Sequence, residues 1–317
     1  MKRSIVAAVF LMMCFVSTEV LAQLPVSLTL PQASPKETRS ITIGFTSISF
    51  EYNSVGIQER EIWGGLVPYG QVWRTGANKN TLFTITDDVL INGQKLKAGS
   101  YGMHTIPGED EWVIIFSHFN EAWGSYFYDE SEDALRITVT PEEMDSKYEW
   151  MKFSFSDYTD TSVDISLKWA HLKVPFKVEI PMETTFAHIE NQFRTLPAFS
   201  WQGWVQGATY LQNNDYKLDV ALQWAARALQ IDRSVQTLGL HAKLLVLNGK
   251  KEEGLKEAEE MRNEWSDDWR SHYSAAEVYE EAQELKKAEE AYKQAKELAS
   301  DDRTKQVMQN RIDAINQ

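Results

Sequence analysis

Hydrophobic and polar residues alternate with period two through the first part of the chain, up to Ile180, and recur every three to four residues after it. The first pattern predicts half-buried strands and the second amphipathic helices. Ile41, Ile43 and Phe45 alternate, the parity slips at Thr46-Ser47, and Ile48, Phe50 and Tyr52 resume it. A one-residue slip turns every side chain over, so it predicts a bulge or a tight turn. Further strands are expected at 82–86, 89–91, 101–105 and 112–117, around Phe153 and Phe155, and at 163–169 and 174–180. Asn92-Gly93 predicts a hairpin, because a type I′ turn needs positive φ at both central residues. Short strands at this spacing predict an antiparallel β-sandwich or open barrel. Beyond Pro181, Phe186, Ile189 and Phe193 share one helical face; Pro197 ends that helix, and Ser200 is placed to cap the next.

The helical part repeats. Ala208, Ala242 and Ala276 are spaced by 34 residues, with Leu211, Leu245 and Tyr279 three positions on and Trp204, Leu238 and His272 four positions back. Gly254, Ala258 and Met261 are matched at the same offset by Ala288, Tyr292 and Ala295. Ala221, Ala225 and Ala228 come one residue late, which predicts an enlarged turn at Asn213-Asn214-Asp215. A period of 34 is that of helix–turn–helix tetratricopeptide repeats, which stack into an interaction solenoid. Residues 301–317 are expected to form a polar capping helix. Strands first and helices afterwards imply separate all-β and all-α domains, 23–181 and 182–317.

The N-terminus changes the picture of where the chain works. Lys2-Arg3, the apolar run 5–16 and Val20-Leu21-Ala22 have the form of a signal peptide, expected to be cleaved after Ala22. The expected location is periplasmic or secreted. Cys14, the only cysteine, would leave with it, so no disulfide is expected. No later run is long and apolar enough to span a bilayer. The net charge of -14 becomes -15 once Lys2, Arg3 and Glu19 are removed, which disfavours nucleic acid and anionic lipid as partners.

One stretch fits neither period: Ile62-Trp63-Gly64-Gly65-Leu66-Val67-Pro68-Tyr69-Gly70-Gln71-Val72-Trp73-Arg74-Thr75-Gly76-Ala77-Asn78. From Gly65 to Asn78 it resembles the signature of domain-of-unknown-function family 2911. Ala98-Gly99-Ser100-Tyr101-Gly102, Thr105-Ile106-Pro107-Gly108 and Trp123-Gly124 are similar to that family's companion motifs. The resemblance covers residues from about 33 to 180. It implies an exported, compact all-β domain, often with a helical repeat tail, and brings no activity with it. Asn53-Ser54-Val55 stands where the family usually shows an Arg-Pro pair. Lys79-Asn80 replaces its usual acidic residue, which removes the carboxylate that position would supply.

Chemistry in these loops has two readings. Arg74 offers a planar fork of donors, Trp63, Tyr69, Trp73 and Trp123 offer stacking faces, and Asn78 pairs a donor with an acceptor, together a candidate ligand site for a glycan or small molecule. In the other reading Trp73 is core and Arg74 ties down loop carbonyls. The two carboxylates a glycosidase needs cannot be placed from sequence. Asp129, Ser131 and Asp133 have alternate spacing but lack an EF-hand's glycine and closing glutamate, and are read as a solvated turn. The six histidines show no zincin spacing, although His104 and His118 could approach across strands, and no metal or cofactor is expected. There is no nucleophile elbow or phosphate loop. In the helical domain Trp224, Trp265 and Trp269 are candidate anchors for a protein or peptide partner. The leading expectation is a non-enzymatic interaction module; the alternative is a glycan-binding or hydrolytic β domain supported by the repeats.

Overall fold

The structure, a computed structural model, describes residues 30–316; the expected signal peptide, Cys14 and Gln317 lie outside the described residues. Among the described residues, ten strands are followed by eight α-helices. The strands are β1 (Lys36–Ile43), β2 (Thr46–Asn53), β3 (Thr81–Ile85), β4 (Val89–Ile91), β5 (Gln94–Leu96), β6 (Gly99–Ile106), β7 (Trp112–Ser117), β8 (Asp133–Val139), β9 (Glu142–Ser156) and β10 (Ser162–Glu179). A six-stranded sheet runs β1-β2-β3-β6-β7-β8 and a four-stranded sheet β5-β4-β10-β9, every pairing antiparallel. The two sheets face each other as an open sandwich and do not close into a barrel.

Local sequence explains the turns. The parity slip at Thr46 is a two-residue hairpin, Ile43 pairing Thr46 across Gly44-Phe45. Asn92 and Gly93 take φ of 47° and 78°, as the β4–β5 turn requires. The two alternating runs 163–169 and 174–180 are one strand, β10. Register shifts around Ala170, which has φ of 51°, reverse which parity faces inward. Phe50 on β2 stacks against Phe153 on β9, with ring centroids 4.2 Å apart, and continues to Phe83 and Phe116 across the larger sheet. Burying each such ring contributes about 2 kcal/mol.

Helix α1 (Met182–Gln192) leaves the sandwich, and Thr184 Oγ1 donates to the Asp88 carbonyl while His188 Nε2 meets Asp87 at 2.7 Å. Three antiparallel pairs follow: α2 (Trp201–Asn213) with α3 (Leu218–Ile231), α4 (Val235–Leu247) with α5 (Lys251–Glu264), and α6 (Trp269–Glu281) with α7 (Leu285–Leu298). Helix α8 (Asp302–Ile315) covers the end and buries Met308 and Ile312. Ala208, Ala242 and Ala276 are all 0 % exposed at the centres of α2, α4 and α6. A methyl there lets neighbouring helices approach where a longer side chain would hold them apart. The α2–α3 turn, 214–217, is one residue longer than the turns at 248–250 and 282–284, which accounts for the late alanines of the first repeat. The helical domain is thus a tetratricopeptide-like solenoid. Ser200 stands before α2 without capping a backbone N–H; its hydroxyl meets Gln202 instead.

Candidate functional site

Trp201, Val235 and Trp269 are the first residues of α2, α4 and α6, again 34 apart. Stacking the pairs brings these helix starts together with the start of α8. They enclose a cleft of about 820 Å³ lined by Trp201, Val235, Trp265, Trp269, Tyr273 and Val307. Val307 is exposed, and the other five are half-buried. Such a volume lies in the range of natural ligand pockets, where an apolar lining with a few polar groups is usual.

Both arginines at the cleft are paired within the protein. Arg233 meets Glu264 at 2.9 Å and Arg270 meets Asp268 at 2.8 Å. The Arg270 guanidinium holds the Asp268 carboxyl below its usual range, and Glu264 raises the affinity of Arg233 for its proton. Asp268 also caps α6 by accepting from the Arg270 N–H. Ser271 Oγ is engaged with the carbonyls of Trp265 and Asp268. The cleft therefore presents mainly aromatic and aliphatic surface, with the charges of these four residues paired and the Asp232 carboxylate also in its lining. Of the three tryptophans singled out in the helical sequence, Trp265 and Trp269 line the cleft. Trp224 lies elsewhere, 8 % exposed, its ring parallel to that of Phe186 at 5.7 Å. Trp201 and Val235 were missed from sequence; the 34-residue register counted from helix starts would have found them.

The β-domain residues do not converge on one cleft. Trp63 packs edge-on to Trp112, Trp169 and Trp73 at 4.8, 5.5 and 6.1 Å, and Trp73 stacks on Trp169 at 5.7 Å. That cluster closes one end of the sandwich core, and Trp63 Nε1 is buried without a partner. Tyr69 is 38 % exposed, its ring against Gly64. Arg74 is half-buried beside Gly124, and its buried Nε has no hydrogen-bond partner, so that nitrogen ties down no loop carbonyl. Asn78, at φ of 61°, and Trp123, 56 % exposed, border a polar groove on the outside of the larger sheet.

The reading of Asp133 as part of a solvated turn is corrected. Asp133 is not in a solvated turn: its side chain is 7 % exposed, bonded to Arg136 Nε at 2.5 Å and to the Tyr128 hydroxyl at 2.7 Å. Burial and the Asp133 bond push the Tyr128 hydroxyl up to about 12. His104 is sealed at 1 % exposure, and burial pushes its imidazole down to about 4. Its Nδ1 lies 3.1 Å from Ser125 Oγ. Among the described residues, no three His, Cys, Asp or Glu side chains are grouped to hold a metal ion, and no helix is long and apolar enough to cross a membrane.

Residues 34–178 match the family described as "Protein of unknown function (DUF2911)". No curated protein matches the chain. Among solved structures, PcrH from Pseudomonas aeruginosa is similar at 15 % identity over 37 % of this chain and 92 % of its own, with a TM-score of 0.31. MamA from residue 41 to its end, from Desulfovibrio magneticus RS-1, is similar at 16 % identity over 42 % and 73 %, with a TM-score of 0.32. The reading of the helical domain rests on its own repeat geometry.

Proposed function

We propose that this chain is an exported, non-enzymatic interaction module that holds a peptide segment of a partner protein in the cleft at the helix starts. The observation that carries the reading is the aromatic cleft itself, built around one position of the 34-residue register, with its two arginines held in internal ion pairs. A half-exposed aromatic surface of this kind favours a partner that inserts an apolar anchor, because desolvating rings stabilises the complex while the paired arginines attract neither charge strongly. Export is supported by the basic, apolar and small-residue order of residues 2–22.

A photoreactive residue placed at Val307 tests the reading in the producing cell. It should crosslink to a discrete partner, and the same group at exposed Lys256 on the outer surface of α5 should not. Equal crosslinking from both positions, or none from Val307, would contradict it.

A further inference from the structure

We propose that the groove on the outer face of the larger sheet binds a neutral oligosaccharide, with Trp123 as its stacking platform. The proposal is independent of the peptide cleft.

The groove holds about 560 Å³, within the range of small-molecule sites. Its floor is made by Glu51, Leu82 and Ser100, on the adjacent strands β2, β3 and β6. One wall is the segment 119–124, which lies down on the sheet and is fixed there. Asn80 N–H donates to the Ala122 carbonyl at 3.0 Å, Gly124 N–H to that of Asn78 at 3.1 Å, and Asn120 Nδ2 to that of Ser100 at 2.9 Å. The wall can sit so close because Gly102 has no side chain: a Cβ there would meet the Phe119 carbonyl oxygen at 2.3 Å. The groove is therefore formed without a ligand.

Trp123 stands at its rim, 56 % exposed, while the same domain buries Trp112 and Trp169 to 1 % or less. An indole left in water beside a polar cavity is what a sugar's C–H face stacks on. The polar groups match hydroxyls. Asn78 and Asn120 spend Nδ2 on Gln32 and Ser100, which leaves their Oδ1 atoms as acceptors. Lys36 is paired with Glu51 at 2.7 Å, and exposed Lys79 and Glu121 add a donor and an acceptor. Two lysines against two glutamates leave no net field to draw an ion. A ligand that donates, accepts and presents an apolar ring face fits all of this, and a saccharide has that chemistry.

The test is calorimetric titration of the full chain with cellohexaose, xylohexaose, chitohexaose and maltohexaose, with indole emission read in parallel. At least one should bind at millimolar concentration or below and shift the emission. Trp123→Ala should weaken it about tenfold or more, as truncating an aromatic anchor does. Ser100→Trp, which fills the floor from an exposed position, should abolish it while thermal unfolding stays cooperative. No binding by any of the four sugars, or wild-type affinity in both variants, would overturn the proposal.

Discussion

His104 Nδ1 lies 3.1 Å from the Ser125 hydroxyl, tying the loop after β7 to a ring that is 1 % exposed. The Tyr128 ring is 5.3 Å away, and the Asp133 carboxylate partly opposes the burial effect. The imidazole is held near 4 in the folded chain, against 6.5 in the unfolded one. Above pH 6.5 both states are neutral at this residue and it adds nothing to the pH dependence. As pH falls below 6.5 the unfolded state takes up the proton first, so stability falls until the folded ring also titrates near pH 4. Between pH 7 and 5 the loss is about 2 kcal/mol. Urea unfolding at the two pH values should show that loss in the wild type and not in His104→Gln. Parallel losses would contradict the burial account.

Gly102→Ala should destabilise the β domain although alanine suits a strand better than glycine. The added carbon would meet the Phe119 carbonyl oxygen at 2.3 Å and Asn80 Nδ2 at 2.4 Å. Backbone cannot give way there without lifting the loop, and a cost on the order of 2 kcal/mol follows. The check is the urea midpoint; an unchanged or raised midpoint would show that the loop is not seated on the sheet as described.

Gly254→Ala sets two effects against each other. In an open helix the change stabilises by about 1 kcal/mol. Here the Cβ would stand 2.6 Å from the Ala242 carbonyl oxygen and 2.7 Å from Val246 Cγ2, where α5 crosses α4. Overpacking by about 1–3 kcal/mol should win. Thermal unfolding should move down; an upward shift would mean that the helices sit further apart.

Trp224→Ala should cost about 3–5 kcal/mol, the usual loss for emptying a large aromatic site. Trp224 joins Phe186, Phe193 and Trp204 where α1 meets α2 and α3. Chemical denaturation measures it, and a loss below about 1 kcal/mol would place this indole outside the core.

Much of the fold was legible because its signals are strong local demands. Ala208, Ala242 and Ala276 repeat since each helix crossing admits only a small side chain, whatever surrounds it. Asn92-Gly93 marks its turn because few residues accept both left-handed conformations. Strand β8 and the first half of β9 were not legible. Residues Glu142–Trp150 carry almost no buried side chains, so no apolar alternation betrays the strand. The sites were harder still. Trp63 and Trp123 are the same residue type in similar glycine-rich loops, and only the packing of Trp112, Trp169 and Trp73 around the first separates core from surface. The cleft's register was hidden because its middle member is Val235 between two tryptophans. The groove draws on several segments between Gln32 and Trp123, each of ordinary polar composition.

The proposed function requires that the cleft at the helix starts take a peptide with an apolar anchor. The most direct measurement is selection of peptides from a displayed library on the full chain, followed by fluorescence anisotropy of the enriched sequences. Enriched peptides should share an aromatic or aliphatic anchor. They should bind the wild type and the Trp123→Ala chain alike, and lose about tenfold or more in affinity for Trp201→Ala. No enrichment, or equal affinity for wild type and Trp201→Ala, would contradict the account.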